Sequence, residues 1–191
     1  MTTFAMSSPA HLPIHLTAAQ RAESLPAETF RSAFRMHPAG VAVVTADLGG
    51  RPVAITVSSL ASVSSEPPLI VFSVSSRASS SAVLRQADSV VIHMVGSDQL
   101  WLAQLGATSG VDRFADTSAW TRLATGEPVF TAAPAWVRGK VVSRIEAGEA
   151  SVFVVHAVSA AVPEGTAEPA AAPLVYHSRS WHRLDDRSKL A

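Results

Sequence analysis

The chain contains no cysteine, which excludes disulfides, thiolate metal sites and a cysteine nucleophile. Charged side chains are also few, since Asp, Glu, Lys and Arg make up 16% of the 191 residues, against roughly 25% in an average soluble protein. Apolar residues make up 48%. A surface this poor in charge indicates that another subunit covers part of it.

An excess of charge of one sign is lacking as well. The 15 basic and 15 acidic residues balance, so no net field draws the protein to nucleic acid or to anionic lipid. No window holds the ~18 apolar residues of a membrane span, and residues 1–20 lack the basic and then apolar pattern of a signal peptide. We therefore expect a cytoplasmic protein that binds neither nucleic acid nor a membrane.

The signatures of several common enzyme classes are missing too. No GxSxG elbow, Walker loop or spaced carboxylate pair is present, and no GxGxxG opens a helix after a strand. His177 and His182 do not have the HExxH spacing of a zinc helix, so we assign no metal ligand and no catalytic side chain. If the chain is an enzyme, a bound cofactor supplies the difficult chemistry.

The pattern of apolar runs and turn residues predicts a mainly β, antiparallel barrel. Runs of β-branched residues bounded by Gly, Pro or Ser predict strands at residues 41–45, 52–57, 69–74, 90–95, 135–145 and 151–160. Residues 106–131 are expected to be irregular. Helices are few and do not alternate regularly with strands, which argues against a βαβ fold.

The predicted barrel follows an N-terminal extension. Residues 1–25 are predicted to form a flexible tail, in which the segment Thr17–Gln20 suits a capping box. The domain then spans residues 26–191. It opens with a helix that places Phe30 and Phe34 on one face.

Two hydroxyl-rich segments are the candidate binding residues. TVSSLASVS covers Thr56–Ser64 at a strand end, and its hydroxyls offer donors and acceptors to the polar edge of a ring or to a sugar-like chain. SSRASSS covers Ser75–Ser81 before a short helix, where Arg77 and backbone N–H groups suit a phosphate. The alternatives are turn residues at a barrel rim for the first segment and a plain N-cap beside a solvated arginine for the second.

Four histidines call for separate interpretations. His93 and His156 lie inside apolar strand runs, and we interpret them as hydrogen-bonded side chains of the core or the rim. His177 and His182 flank the sequence SRSW near the C-terminus. There they can contact a ligand as hydrogen-bond donors or by ring stacking.

Taken in order along the chain, these segments resemble the flavin reductase-like family, whose fold is the FMN-binding split barrel, a Greek-key β-barrel. The matching motifs are FRMHPAGVAVVTA, GGRPVAITVSSLASVSSEPPLIVFSV, SSRASSSAVL, SVVIHMV, VDRFA, GEPVF with AWVRGKVV, and PLVYHSRSWHRL. They extend over residues 30–184, and the TVSSLASVSSEPP segment is the strongest single match. The resemblance implies a homodimeric reductase that uses NADH or NADPH to reduce FMN or FAD at the dimer interface and passes reduced flavin to a partner monooxygenase.

The resemblance also implies roles for individual residues. The residues that would contact the flavin ring edge and ribityl chain are Thr56, Val57, Ser58 and Ser59. The residues that would contact the phosphate are Ser75, Ser76, Arg77, Ser79 and Ser80. The ring would pack near Phe114, and the residues that would approach the nicotinamide or the flavin ring are His177, Trp181 and His182.

One turn departs from the family pattern. Where many members carry Gly-Asp-His before a long strand, this chain has Gly148-Glu149-Ala150, so a histidine often placed near the nicotinamide is missing. The missing histidine leaves open a first rival hypothesis, a flavin-binding barrel that acts on another substrate, or on none. His177 and His182 leave open a second, a non-redox module for a cofactor such as haem or a deazaflavin.

Overall fold

The computed structural model describes residues 10–163 and 172–190. The strands are β1 (Ala10–Ile14), β2 (Ala39–Gly40), β3 (Ala42–Leu48), β4 (Arg51–Val57), β5 (Ala61–Ser65), β6 (Pro68–Ser75), β7 (Ser89–Met94), β8 (Trp120–Arg122), β9 (Pro128–Phe130), β10 (Ala135–Ala147), β11 (Ala150–Ala161), β12 (Leu174–His177) and β13 (Ser180–Arg183). The helices are α1 (Ala18–Ala22), α2 (Ala27–Arg35), α3 (Ser81–Leu84) and α4 (Leu100–Ala107). Among these residues, no helix is both long enough and apolar enough to cross a bilayer.

One large sheet forms the body of the protein. Its strand order is β4-β3-β7-β10-β11-β6-β5, and each neighbouring pair on this path is antiparallel. β1 differs, since it pairs with β10 in parallel. β12 lies between β13 and β2 in a small sheet, and β8 pairs with β9. The mainly β, antiparallel architecture predicted from the sequence is confirmed.

The large sheet must curl, because its two edge strands are consecutive in the sequence. β4 ends at Val57 and β5 begins at Ala61, so residues 58–60 cross from one edge of the sheet to the other. A chain of that length spans at most roughly 14 Å. β4 and β6 come into contact there although they are not paired as neighbours in the sheet. We name this gap between the two edges the seam of the barrel.

Alternate residues of β3 face two separate cores. Ala42 and Val44 pack inside the barrel with Phe72 and Phe153, whose rings stack with their centroids 5.0 Å apart. Val43 packs outside the barrel in the core that includes α4. Because side chains alternate across a strand, β3 is buried on both faces. Its nearly continuous apolar sequence follows from this double burial.

α4 approaches β4 so closely that only glycine fits at Gly106. A Cβ atom at Gly106 would lie 2.4 Å from the Thr56 Oγ1 and 3.0 Å from the Thr56 backbone nitrogen. In the same contact, the Thr56 hydroxyl donates to the carbonyl oxygen of Ala103 over 2.6 Å. The end of β4, where the seam begins, is therefore held in place by α4.

His93 is a buried polar anchor between β3, β7 and β9. Its Nδ1–H donates to the Val43 carbonyl over 2.9 Å, and its Nε2 accepts from the Phe130 N–H over 3.0 Å. These two partners fix the tautomer, because one only accepts and the other only donates. Burial lowers the pKa of His93 to about 4, so the ring is neutral near pH 7. The interpretation of His93 as a hydrogen-bonded core histidine is confirmed.

The predicted tail contains secondary structure in its second half. Residues 1–9 lie outside the described residues. From Ala10 onward, β1 extends the large sheet, and α1 begins with the predicted capping box of Thr17 and Gln20. The boundary of the tail at residue 25 and its flexibility stay predictions.

α2 lies where the spacing of Phe30 and Phe34 predicts a helix, but none of its residues is buried. The two phenylalanine side chains are 53% and 60% exposed, and their ring centroids lie 4.6 Å apart. An amphipathic helix normally buries its apolar face against a core. The exposed apolar face of α2 is therefore a candidate surface for contact with another protein chain.

Two elements differ from the sequence prediction. Residues 106–131, predicted to be irregular, contain the β8–β9 hairpin. The serine-rich segment at residues 61–65 forms β5, an edge strand with mostly exposed side chains. Both elements are held by backbone hydrogen bonds to a neighbouring strand. β5 and β8 have mostly exposed side chains, and side-chain patterns report pairing poorly in such strands. β9 is buried but only three residues long, which is too short to show a strand period.

Candidate functional site

A cleft of about 580 Å³ opens at the seam, within the range of about 300–1,000 Å³ typical of small-molecule sites. The linker between β4 and β5 contributes one side, and the end of α2 and the β12–β13 hairpin contribute the others. Residues from these three parts line it, among them Arg35, Ser58, Ser59, Tyr176, His177 and Arg179.

A second cleft of about 210 Å³ adjoins the first. The two clefts share Ser58 and Tyr176, and the smaller one also reaches Thr56 and Trp181. Five residues predicted from the sequence thus come together at the seam, namely Thr56, Ser58, Ser59, His177 and Trp181. The remaining predicted residues lie elsewhere.

Ser58 and Ser59 are adjacent in the chain but make different contacts. The Ser59 hydroxyl accepts from the Ser73 N–H over 2.9 Å and donates to the Ser73 carbonyl over 3.2 Å. It therefore ties the linker to β6 across the seam. The Ser58 hydroxyl is exposed in both clefts and has no hydrogen-bond partner among the described residues. Of the two hydroxyls, only that of Ser58 is free to bind a ligand.

Thr56 and Val57 contribute less side chain to the clefts than their positions predict. The Thr56 hydroxyl already donates to α4, and the Val57 side chain is 4% exposed inside the barrel core. Both residues position the backbone at the end of β4. We attribute this to the alternation of side chains along the strand, which points neighbouring residues to opposite faces.

The serine-rich loop after β6 lies beside the seam and does not line either cleft. Its Ser80 hydroxyl is buried and donates to the Ala54 carbonyl of β4 over 2.8 Å. Ser80 is therefore a structural tie between the loop and the unpaired edge of β4, and it makes no side-chain cap for α3. Ser75, Ser76 and Ser79 remain exposed.

Arg77 of this loop is already engaged by the turn between β10 and β11. Its Nη2 lies 2.6 Å from the Glu149 Oε1, and both side chains are largely exposed. The Ser76 N–H and hydroxyl both donate to the Glu149 carbonyl, over 2.9 Å and 3.0 Å. Glu149 thus binds both Ser76 and Arg77 of the predicted phosphate loop. It lies in the turn that departs from the family pattern.

Phe114 lies in the outer core and is 7% exposed. Its ring stacks on Phe130 with 5.3 Å between centroids and meets Trp120 edge to face at 5.0 Å. The Trp120 Nε1–H donates to the Phe114 carbonyl over 3.1 Å. The structure therefore places the Phe114 ring among core aromatics and away from both clefts.

The β12–β13 hairpin supplies the aromatic side of the site. Tyr176 and Trp181 lie with their ring centroids 4.7 Å apart, and His177 lines the larger cleft. His182 lies outside both clefts, and its Nε2 is 3.3 Å from the His177 carbonyl. Within residues 10–163 and 172–190, no three His, Cys, Asp or Glu side chains gather as a metal-binding set.

Sequence reasoning missed the arginines of the cleft. Arg31 and Arg35 lie on α2, and Arg179 lies at the tip of the β12–β13 hairpin. Two of them belong to the motifs FRMHPAGV and SRSW that carried the resemblance, but their convergence depends on the tertiary structure. Only Arg77 stands out in the sequence, because it sits among serines.

The fold and the cleft together define a split-barrel protein with a candidate ligand site at its seam. The described residue set fits a flavin, since it combines the free Ser58 hydroxyl, backbone groups of the irregular linker, and the aromatic faces of Tyr176 and Trp181. Hydroxyl and backbone groups suit the polar edge of a heteroaromatic ring, and aromatic faces suit its plane.

Comparison with known proteins identifies the family. The family described as "Flavin reductase like domain" matches residues 34–185, most of the chain. The chain belongs to this flavin reductase-like family. The resemblance stated from the sequence motifs is confirmed.

Individual relatives give the same picture. The chain is 46% identical over 154 residues to an NADH:FMN oxidoreductase of Rhodococcus qingshengii, covering 81% of this chain and 80% of the relative. It is 30% identical over 161 residues to the reductase component of a 4-nitrophenol 4-monooxygenase/4-nitrocatechol 2-monooxygenase of Rhodococcus opacus, covering 84% and 83%. A solved flavin reductase domain protein of Arthrobacter sp. FB24 superimposes with a TM-score of 0.76 at 30% identity, covering 83% and 95%.

Proposed function

We propose that this chain is an NADH-dependent FMN reductase that supplies reduced flavin to a partner monooxygenase. The observation that carries the proposal is the 46% identity to an NADH:FMN oxidoreductase over 81% of this chain. The similarity to a monooxygenase reductase component supports the partner. Flavin reduction by a nicotinamide is the activity class of the chain. The preference for FMN over FAD and for NADH over NADPH, and a cytoplasmic location, are proposals.

The residues of the chain bind and orient the two reacting rings. Bound flavin supplies the hydride acceptor. The Ser58 hydroxyl and the backbone of residues 58–60, which line the clefts, would hold the ring edge, and Trp181 and Tyr176 would pack on the ring and exclude water. The main contribution of these residues would be orientation of the two rings. No side-chain acid or base is assigned.

The flavin phosphate is proposed to bind at the loop after β6. Ser75, Ser76, Arg77 and Ser79 are exposed there. The loop begins two residues after Ser73, to which the linker serine Ser59 is hydrogen-bonded, so it lies next to the proposed ring site. A guanidinium with several hydroxyls suits a dianionic phosphate.

A homodimer is part of the proposal. α2 has no buried residue, and its exposed Phe30 and Phe34 need an apolar partner. We propose that a second copy of the chain covers them and completes the cleft, because Phe34 belongs both to this apolar face and to the cleft lining.

Phe30→Asp should give a monomer with weakened flavin binding, measured by light scattering and flavin titration. A monomer with full flavin affinity would contradict the shared site.

Nicotinamide oxidation in the presence of each flavin tests the function. The purified protein is mixed with FMN or FAD and with NADH or NADPH, and nicotinamide absorbance is followed. We expect many turnovers per protein, fastest with NADH and FMN. Reduction limited to one equivalent would contradict the proposal.

The main rival is a flavin-binding barrel that acts on another substrate. Ala150 favours it, since it stands where many family members carry histidine. A flavin-binding protein that shows no turnover with either nicotinamide would support this rival. The hypothesis of a non-redox module for haem or a deazaflavin is not supported, because the chain belongs to a flavin reductase family.

A further inference from the structure

The cleft at the seam has one strongly basic wall. Arg31 and Arg35 come from α2, and Arg179 comes from the hairpin tip. His37 and His177 add imidazole rings, and no Asp or Glu is among the described residues that line the cleft. A chain with a formal net charge of zero thus concentrates positive charge in one concave place. Such a place strengthens the attraction for anions.

Two of these guanidinium groups are available to a ligand. Arg31 pairs with Glu28, with 2.8 Å between its Nη2 and the carboxylate. Arg35 and Arg179 have no carboxylate within salt-bridge distance in the part of the chain that the structure describes, and they interact with Glu28 only through space. Each offers a planar fork of N–H donors that matches two oxygens of a phosphate.

Backbone contacts hold these two arginines on neighbouring elements. The Ser178 N–H and hydroxyl both donate to the Arg35 carbonyl over 3.3 Å, which joins the end of α2 to the hairpin tip. Ser178 and Arg179 have φ angles of 49° and 65°, the left-handed region that glycine adopts without cost. Arg179 therefore keeps a long cationic side chain at a backbone position that favours glycine, and this side chain lines the cleft.

The flavin phosphate already has a separate candidate place. Arg77 and the loop after β6 do not line this cleft, so its arginines are left for another anion. A hydride donor has to face the ring whose edge is proposed to lie at Ser58. Arg35 and Arg179 line the same cleft, so they lie within the space that the phosphates of such a donor would enter.

We propose that Arg35 and Arg179 bind the pyrophosphate of the nicotinamide dinucleotide. This assignment rests on the proposed function, because its ligand is the co-substrate of that reaction. Two guanidinium groups on two elements suit a pyrophosphate, which presents two linked phosphates and two negative charges.

The kinetic test compares two hydride donors, NADH and N-benzyl-1,4-dihydronicotinamide, which has no phosphate. In Arg35→Gln and Arg179→Gln, we expect the KM for NADH to rise roughly tenfold or more. The kcat/KM for the phosphate-free donor and the KM for FMN should stay within about twofold of the starting values. Arg187→Gln, which removes an exposed charge from the C-terminal turn, is the matched control and should change none of these values.

The binding test uses ADP-ribose, which carries the pyrophosphate without the nicotinamide ring. Calorimetric titration of the intact protein should show a Kd that rises roughly tenfold in each cleft variant and with added salt. Arg35→Lys keeps the charge but loses the planar fork, so it should recover part of the affinity. This readout does not depend on turnover.

The outcomes separate the two proposals. Equal losses with both hydride donors would overturn the pyrophosphate assignment, because the arginines would then act on the rings or on the fold. A rise in the KM for FMN, with unchanged ADP-ribose binding, would assign the cleft to the flavin phosphate and also overturn it. A starting protein that binds ADP-ribose but oxidises neither donor would contradict the proposed function and not the anion site.

Discussion

Two basic regions lie near the same seam and differ in how their charge is compensated. In the loop after β6, Arg77 is paired with Glu149 across 2.6 Å. In the cleft, Arg35 and Arg179 have no carboxylate partner among the described residues, and a hairpin with left-handed residues carries Arg179. The difference suggests different tasks. A phosphate in the first region would have to displace Glu149, whereas Arg35 and Arg179 make no direct ion pair and interact with Glu28 only through space.

The ion pair between Arg77 and Glu149 should influence the affinity of the protein for flavin. The Arg77 and Glu149 side chains are 77% and 75% exposed, and such surface ion pairs contribute only about 0–1 kcal/mol. If the flavin phosphate binds here as proposed, it would displace Glu149 at small cost but gain less than it would from a free arginine. We expect this region to favour exchange of flavin over permanent retention.

The largest expected effect is a loss of stability in acid. It would affect both basic regions, because both depend on the folded structure. His93 has a pKa of about 4 in the folded protein, against about 6.5 when unfolded. The unfolded chain binds more protons between these values, so the free energy of unfolding falls as pH drops through this window. The contribution amounts to about 3 kcal/mol. Urea unfolding at pH 7 and at pH 4 measures it.

The pH prediction is tested with a variant that has no titratable side chain at position 93. His93→Gln should lose stability at pH 7 but show a flatter dependence between pH 6.5 and pH 4, while replacement of the exposed His15 should leave the dependence unchanged. An equally steep profile in His93→Gln would show that another group controls acid stability.

A substitution at Gly106 is expected to have a smaller effect on stability and to weaken ligand binding in both basic regions. Gly106→Ala would place a Cβ 2.4 Å from the Thr56 Oγ1, and overpacking of this kind costs about 1–3 kcal/mol. We expect a lower melting temperature and weaker binding of both FMN and ADP-ribose, because the end of β4 has to move. Gly40→Ala is the control, since its Cβ would meet nothing within 4 Å.

The adjacent serines separate ligand binding from structure. Ser58→Ala should weaken flavin binding by about 1 kcal/mol, roughly fivefold, with little change in melting temperature. Ser59→Ala should instead cost about 1 kcal/mol of stability, because Ser73 loses both partners at the seam. Titration and thermal melting of both variants measure the contrast. The reverse pattern would show that the free hydroxyl has been misassigned.

The smallest expected effect comes from removing the Glu149 carboxylate. It tests most directly the contrast between the paired Arg77 and the cleft arginines. Glu149→Gln removes the carboxylate that engages Arg77, so FMN affinity should rise a few-fold, within the roughly 1 kcal/mol of a surface pair. Riboflavin, which has no phosphate, should bind the variant and the starting protein equally. If both flavins change alike, Glu149 acts on the ring or the fold. ADP-ribose affinity should not change, because Glu149 does not line the cleft.

Side-chain chemistry in the sequence predicted which hydroxyls could bind a ligand but not which of them the fold leaves unpaired. Ser58 was predicted because a hydroxyl at a strand end suits a polar ligand, and the structure places it in both clefts. Thr56, Ser59 and Ser80 have the same chemistry, yet their hydroxyls bind carbonyls of Ala103, Ser73 and Ala54. A sequence shows that a hydroxyl is present but does not show which long-range acceptor takes it.

The sequence by itself determined the strand-rich architecture, the helix α2 and the candidate hydroxyl segments. These follow from local physics, namely the two-residue alternation of strands, the spacing of Phe30 and Phe34, and the turn residues between apolar runs. Only the tertiary structure decided that Arg35 and Arg179 meet at the cleft, that Gly106 must lack a side chain, and that Glu149 compensates Arg77. Each of these depends on contact between distant segments, and such contacts leave no local period in the sequence.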